Sequence, residues 1–278
     1  MSPRELLIRW SPRAVQLSSQ RCQGGYPRRD DCAWYHGAWP MLRALGMVSN
    51  PYWHHAFFFQ VASRYSQTTD RIAVVGTADF SMPLLISSAS KAMVTVMDVC
   101  ETPVALCQEV SDFLSLGWVC KQRDILGGSA EVGLYDLVLN DAFLTRFPDP
   151  EKVIVLKKIK ELLKSGGRYA TTIRISRASV QINGNASYMS PEDRREWFVE
   201  RAMARWHEVG GIDGISYEQA NALASKFMRE MASFRFRSHE HIIEIADAAG
   251  FAVDELSDVI VPGESEETHY TRTVMRSL

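Results

Sequence analysis

The sequence lacks the charge imbalance that is typical of nucleic-acid-binding and disordered chains. Its 31 Lys and Arg residues nearly balance its 33 Asp and Glu residues, so the 278-residue chain has a formal net charge of −2. A protein that binds nucleic-acid phosphates is usually basic or has a dense stripe of Lys and Arg, and no such stripe is visible beyond the first thirty residues. Aromatic residues make up 10% of the chain, which disfavours disorder. We therefore expect a globular protein without a nucleic-acid partner.

Long apolar runs are also missing. No segment approaches the roughly 18 apolar residues that span a membrane, and the N-terminus has no apolar stretch of the kind found in secretory signals. The first 21 residues are rich in Arg and Ser and faintly resemble a mitochondrial transit peptide, but Pro3 and Pro12 are expected to interrupt an amphipathic helix. The expected location is the cytoplasm, with no membrane partner.

Cysteine is scarce and widely spaced. The five cysteines form no C-x-x-C pair: Cys22, Cys32, Cys100, Cys107 and Cys120. An odd, dispersed set predicts neither a disulfide framework nor a metal site. The adjacent His54 and His55 are also a poor metal pair, because neighbouring side chains on a helix diverge by about 100°. We expect reduced, structural thiols and no metal.

Short β-branched runs alternate with helical segments between residues 71 and 175. This alternation is typical of a parallel sheet covered by helices on both faces. The predicted strands are residues 72–75, 93–97, 118–122, 135–139 and 169–175. A later helix at 238–249 and two strands at 252–256 and 268–275 predict an antiparallel hairpin at the edge of the sheet. The predicted fold class is therefore α/β.

Two helical regions are predicted outside this sheet. Residues 1–37 are interpreted as an irregular arm, followed from Asn50 by a helix with an aromatic face, and 1–66 together form an N-terminal arm and lid. Capping-box sequences at Ser190 and Ser216 predict an inserted helical cap at about 176–236. The predicted core domain is residues 67–278.

Polar residues gather at the predicted carboxyl ends of the strands, where an open α/β sheet binds its ligand. Gly76 allows a close approach of the backbone, and Asp98 follows it by 22 residues, the interval expected for a carboxylate that binds ribose hydroxyls. A side chain near Asp124 would then meet the base. Each aspartate alone could be a helix cap. Polar residues at the ends of four predicted strands, taken together, favour a nucleoside site.

Six segments give a more specific resemblance. They are VVGTAD (74–79), VMDVC (96–100), QRDI (122–125), YDLVLN (135–140), LKSGGRY (163–169) and AAGF (248–251). In this order they resemble the class I S-adenosylmethionine (SAM)-dependent methyltransferases over residues 70–275. The resemblance implies a Rossmann-like sheet of order 3-2-1-4-5-7-6, with strand seven antiparallel and SAM as the cofactor lying across strands one, two and four.

The same resemblance implies a contact for each part of SAM. The implied cofactor-binding residues are Gly76, Thr77, Ala78 and Asp79 at the methionine, Asp98 at the ribose, Asp124 and Ile125 at the adenine, and Asn140 near the sulfonium, together with Val99 and Asp141 beside Asp98 and Asn140. The family's first motif commonly has three alternating glycines, whereas this chain has only Gly76. Asp79 is the residue expected to contact the methionine amine.

NAD is the competing ligand for such a fold. A dinucleotide pyrophosphate needs the bare backbone of G-x-G-x-x-G, and after Gly76 this chain offers side chains that include the anionic Asp79. SAM has no phosphate and has a cationic sulfonium, which a nearby carboxylate favours. NAD is therefore disfavoured.

Three functions remain open from the sequence. The first is methyl transfer from SAM to a small molecule in secondary metabolism, because the chain lacks the Asn-Pro-Pro-Tyr motif of amino-group methylases. The second is intramolecular cyclisation of SAM to azetidine-2-carboxylate with release of methylthioadenosine, and the third is a non-catalytic SAM-binding subunit. The candidate catalytic residues are Asn140, Tyr52 and Tyr35, and a homodimer is left open.

Aromatic residues of the arm and the cap are candidates to close over the pocket. They are Trp34, Tyr35, Trp39, Tyr52 and Trp53 in the arm, and Trp197, Phe198, Trp206 and Tyr217 in the cap. An aromatic face beside the sulfonium would contribute about 0.5–2 kcal/mol through a cation–π interaction. Most of these side chains are equally well explained as core.

Overall fold

The computed structural model describes residues 1–22, 32–67, 70–127, 132–175, 191–261 and 268–278. The strands are β1 (Arg71–Val75), β2 (Met93–Asp98), β3 (Val119–Gln122), β4 (Tyr135–Asp141), β5 (Leu163–Arg174), β6 (Phe251–Val261) and β7 (Thr268–Ser277). The helices are α1 (Pro3–Arg21), α2 (Ala33–Ala44), α3 (His55–Tyr65), α4 (Ser81–Ala89), α5 (Glu101–Leu114), α6 (Asp149–Leu162), α7 (Pro191–Glu208), α8 (Tyr217–Glu230) and α9 (His239–Ala248).

The strands form one seven-stranded sheet of order β3-β2-β1-β4-β5-β7-β6. Strands β1 to β5 are parallel, and β7 pairs antiparallel with both β5 and β6. In β1, Ile72 and Val74 pack into one core and Ala73 and Val75 into the other, so both faces of the sheet are covered. The predicted strand order and fold class are confirmed.

The first helix corrects the predicted irregular arm. The side chain of Ser2 accepts from Glu5 N at 3.2 Å and that of Glu5 accepts from Ser2 N at 2.6 Å, a capping box with Pro3 in the first turn. Pro12 lies inside the helix, where it removes a backbone hydrogen bond. Burial of apolar side chains such as Leu17 against the neighbouring helices offsets that cost.

The region after Asn50 begins as predicted but is divided in two. The side chain of Asn50 accepts from Tyr52 N at 3.0 Å, a short 3-10 helix covers Pro51–His54, and α3 follows. Phe57 and Val61 of α3 are buried in the core.

Within the predicted cap, α7 and α8 pack against each other and against α2. The side chain of Ser216 accepts from Gln219 N at 3.1 Å and caps α8 as predicted, whereas Ser190 lies outside the described residues. Apolar residues of the three helices form one core, which includes Met41, Phe198 and Trp206.

Two element boundaries differ from what local sequence patterns predict. Thr102 before Pro103 predicts a helix start, but the N-cap of α5 is Cys100. Gly166 and Gly167 predict a helix stop, but α6 ends at Leu162 and β5 begins directly after it. None of the helices in the described ranges is long and apolar enough to cross a membrane.

Candidate functional site

A cavity of about 850 Å³ lies beyond the carboxyl ends of β1, β2 and β4. Its floor is formed by the residues that follow these strands, and α2 and α8 contribute a wall. Ligand sites of open α/β sheets lie at this edge, where the strand order reverses beside the first strand. The cavity is therefore the candidate functional site.

The structure brings together most of the residues that the sequence singles out. Nine of the ten predicted cofactor-binding residues line this cavity: Gly76, Thr77, Ala78, Asp98, Val99, Asp124, Ile125, Asn140 and Asp141. Tyr35, a predicted catalytic residue, lines it as well. Asp79 and Tyr52 do not contribute to the lining.

Gly76 is required by the shape of the loop after β1. Its φ angle is +64°, in the left-handed region that side chains disfavour, and its N–H donates to Met97 O at 2.9 Å. A Cβ atom at this position would overlap the ring of Phe143, which covers the loop. Only glycine therefore lets the backbone turn away from β1 beneath this ring.

Asp98 and Asp124 stabilise the loops at the ends of β2 and β3. The Oδ1 atom of Asp98 accepts from Cys100 N at 2.8 Å, and that of Asp124 accepts from Leu126 N at 2.9 Å. Both side chains also line the cavity. The same carboxylate can therefore stabilise its loop and bind a ligand, because it accepts a backbone hydrogen bond and still lines the cavity.

The side chain of Asn140, a residue that lines the cavity, has hydrogen-bond donors that lack a partner among the described residues. Its Oδ1 atom accepts from the hydroxyls of Tyr169 at 3.0 Å and Thr171 at 2.5 Å. Its Nδ2 atom is buried without a partner among the described residues. A buried amide that lacks its hydrogen bonds is costly, so Nδ2 is suited to donate to a bound molecule.

Asp79 belongs to a buried ion pair and not to the cavity wall. Its side chain is fully buried, and Oδ1 accepts from Arg43 Nη1 at 2.6 Å and from Ser81 N at 2.7 Å. Asp79 thus contacts a guanidinium in this structure, and its contact with the methionine amine stays a prediction. Its partner Arg43 does line the cavity.

Arg43 is a site residue that the sequence analysis missed. Its Nε atom donates to Ser49 O at 2.7 Å, and its Nη2 atom lies 4.0 Å from Asp141 Oδ2. Asp141 also accepts from the hydroxyls of Thr172 at 2.5 Å and Ser49 at 2.8 Å. An available signal was that Arg43 is the only charged residue in the apolar segment 38–45.

An aromatic wall covers one side of the cavity. The rings of Tyr35 and Trp39 are 4.7 Å apart, and Phe227 of α8 lies 5.8 Å from Trp39. The Arg146 guanidinium lies over the ring of Tyr35 at 5.1 Å. The arm and the cap therefore both reach the cavity, as the lid hypothesis requires.

The other seven candidate lid aromatics do not line the cavity. These are Trp34, Tyr52, Trp53, Trp197, Phe198, Trp206 and Tyr217. Phe198 and Trp206 are buried in the core between α2 and the cap. Tyr52 is half-buried against the main core, and burial together with the charge of Asp79 raises the pKa of its phenol.

The two adjacent histidines point to different environments. His54 is fully buried, with its ring 4.8 Å from that of Tyr270, whereas His55 is exposed and stacks on Phe59 at 5.7 Å. They do not form a shared site.

Comparison with known proteins identifies the fold. No family model and no curated protein matches the sequence. The solved structures that resemble the chain include the magnesium protoporphyrin IX methyltransferase ChlM from Synechocystis PCC 6803 with bound SAM, at 10% identity and a TM-score of 0.51 over 100% of this chain and 98% of that one.

Two further solved structures are similar over most of their length. The cyclase SpnF has 13% identity and a TM-score of 0.54 over 98% of this chain and 94% of its own. The N-methyltransferase NodS from Bradyrhizobium japonicum, in complex with S-adenosylhomocysteine, has 13% identity and a TM-score of 0.51 over 86% of this chain and 97% of its own. Together with the strand order, these similarities show that the chain has the fold of the class I SAM-dependent methyltransferases.

Proposed function

We propose that the protein is a SAM-dependent enzyme that transfers a methyl group to a small molecule. The observation that carries this proposal is that Gly76, Asp98 and Asn140 line one cavity at the carboxyl edge of a methyltransferase-type sheet. Because fold alone does not define function, the chemistry of the cavity wall must also suit SAM.

The wall suits a cationic nucleoside. Asp98 lies at the end of β2, where a carboxylate accepts hydrogen bonds from ribose hydroxyls. Carboxylates of Asp98, Asp124 and Asp141 line the cavity, and a nearby negative charge favours a sulfonium. The backbone at Gly76 allows the methionine part to approach closely.

The size of the cavity is sufficient for a ligand as large as SAM. Pockets that bury one drug-sized ligand have volumes of about 300–1,000 Å³, and this cavity, at about 850 Å³, is in the upper part of that range. Methyl transfer is an in-line displacement at an activated carbon, so the protein contributes mainly by positioning the acceptor and excluding water. Asn140 and Tyr35, which both line the cavity, are the residues proposed to position such an acceptor.

Cyclisation of SAM is the second candidate, and the aromatic wall of Tyr35, Trp39 and Phe227 is the observation that favours it. An enclosing wall would fold the methionine chain so that its amine nitrogen attacks Cγ. The new N–Cγ bond forms as the Cγ–S bond breaks, sulfur keeps the electron pair, and methylthioadenosine leaves as the amine proton is lost to water. The product is azetidine-2-carboxylate.

A single experiment separates these functions. Purified protein is incubated with SAM, alone and with a pool of small metabolites, and the products are identified by mass spectrometry. Methyl transfer predicts S-adenosylhomocysteine only when the pool is added, whereas methylthioadenosine and a four-membered cyclic amino acid from SAM alone would establish cyclisation instead. Binding of SAM by calorimetry without either product would support a non-catalytic subunit, and absence of binding would contradict the whole proposal.

A further inference from the structure

Three cysteines and a histidine from separate parts of the sequence meet beside the cavity. Cys22 ends α1, Cys32 precedes α2, His36 lies in the first turn of α2, and Cys100 precedes α5. One potential ligand atom from each side chain lies within 4.8 Å of all the others. The sequence predicts no metal site because these residues lack a short C-x-x-C spacing, but the fold supplies the proximity.

The distances fit a tetrahedral metal ion. A zinc ion bound at about 2.3 Å to sulfur and about 2.0–2.1 Å to nitrogen sets tetrahedral edges of about 3.8 Å between sulfurs and about 3.6 Å between sulfur and nitrogen. The Sγ atom of Cys100 lies 3.5 Å from that of Cys22 and 3.7 Å from that of Cys32. The Nδ1 atom of His36 lies 3.5 Å from Cys22 Sγ.

The surroundings of the cluster fit a built site. Cys22, His36 and Cys100 are buried, and Cys32 is half-buried. The hydroxyl oxygen of Thr102 lies 3.0 Å from Cys22 Sγ, where it would donate a hydrogen bond to a metal-bound thiolate. Such outer hydrogen bonds orient the ligands of metal sites. All five cysteines are in the described residues, and none of them forms a disulfide.

We propose that Cys22, Cys32 and Cys100, through Sγ, and His36, through Nδ1, bind one zinc ion. Three thiolates and one imidazole are soft ligands that select zinc over magnesium or calcium. Four protein ligands leave no open position for substrate or water, so the site is of the closed, structural type.

The ion would stabilise one wall of the candidate active site. It links the end of α1 and the start of α2 to the loop after β2, and the N–H of its ligand Cys100 donates to Asp98. Because a preformed set of ligands does not exist in the unfolded chain, metal binding contributes to folding. The metal thus fixes the position of the carboxylate that is proposed to bind the ribose.

Metal content is the direct test. The full-length chain, without a histidine tag, is purified in the presence of a reductant and without a chelator, and its metals are measured by inductively coupled plasma mass spectrometry. We expect one zinc ion per chain, and less than about a tenth of that in Cys32→Ser and Cys100→Ser. Cys120→Ser is the matched control, because Cys120 is also half-buried but lies outside the cluster on β3.

Cobalt binding keeps the proposal testable if those variants fail to fold. Adding Co²⁺ alone to the reduced, metal-depleted wild-type chain should give the intense visible bands and the thiolate charge-transfer bands of a tetrahedral site, saturating at one equivalent. Absence of both zinc and these bands would overturn the proposal. So would a Cys22–Cys100 or Cys32–Cys100 disulfide in freshly prepared, acid-quenched protein, or equal loss of zinc in Cys120→Ser. These measurements do not involve SAM, so they stand or fail separately from the proposed function.

Discussion

Replacing Arg43 by methionine is expected to destabilise the protein by several kcal/mol, although the two side chains are similar in size. The Arg43 side chain is 5% exposed and its partner Asp79 is 0% exposed. The substitution therefore leaves the Asp79 carboxylate buried beside an apolar group. It also removes the hydrogen bond from Arg43 Nε to Ser49 O.

The magnitude follows from the cost of stranding a buried charge. Removing one partner of a buried ion pair typically costs about 3–5 kcal/mol, which is a large part of the roughly 5–15 kcal/mol that stabilises a typical domain. Asp79 retains one hydrogen bond, from Ser81 N, and this bond alone does not replace the guanidinium. We therefore expect a loss of about 3–5 kcal/mol.

Urea unfolding at neutral pH, followed by circular dichroism and extrapolated linearly, measures this loss. Arg64→Met is the matched control, because Arg64 and Glu255 form an ion pair whose side chains are 67% and 43% exposed, and surface pairs contribute little. In the double variant with Asp79→Asn, the buried charge is absent and most of the loss should be recovered. The reasoning would be refuted by a loss below about 1 kcal/mol in Arg43→Met, or by a double variant whose loss equals the sum of the single losses.

Three other predictions address the ligand and the pH dependence. Asp98→Ala should weaken SAM binding by about 1–3 kcal/mol because it removes charge-assisted hydrogen bonds to the ribose; unchanged affinity in calorimetry would exclude that role. Asn140→Ala should lower kcat more than SAM affinity, since Nδ2 is proposed to position the reacting groups; a purely affinity-based effect would make Asn140 a binding residue only. Burial lowers the pKa of His54 from 6.5 to about 4, so the unfolded state binds more protons between these values and the unfolding free energy should fall by up to about 3 kcal/mol as the pH drops from 6.5 to 4. In His54→Gln that part of the pH dependence should be missing, and identical pH profiles for the two proteins would contradict the assignment.

The sheet was predictable because its signals are local. The run at 72–75 is apolar at every position, which is expected of a strand buried on both faces. Glycine follows the first strand, and aspartate is the last residue of the second. Helix α1 has conflicting local signals, because Pro12 disfavours a helix whereas the capping box of Ser2 and Glu5 favours one. The sequence does not reveal how much packing will offset the cost of one proline.

The candidate site was predictable where its residues follow strands. The carboxyl ends of parallel strands lie at one edge of the sheet. Residues at the ends of successive predicted strands are therefore expected to be close together in space. Arg43 does not follow a strand, and it meets Asp79 only because α2 packs across the loop after β1. The Cys22–Cys100 contact joins residues 78 positions apart. Contacts between residues so far apart in the chain produce no recognisable pattern of residue spacing in a single sequence.

One helix connects both of these unpredicted features. His36 belongs to the proposed metal site and Arg43 to the buried ion pair, and they are separated by seven residues, which is about two turns of α2. Tyr35 and Trp39, at helical spacing along the same stretch, form the aromatic wall of the cavity. Because α2 is held at one end by the proposed zinc ion and at the other by Asp79, the aromatic residues between these anchors are held in position as well. Loss of either anchor should therefore affect the shape of the cavity before it affects the distant half of the sheet.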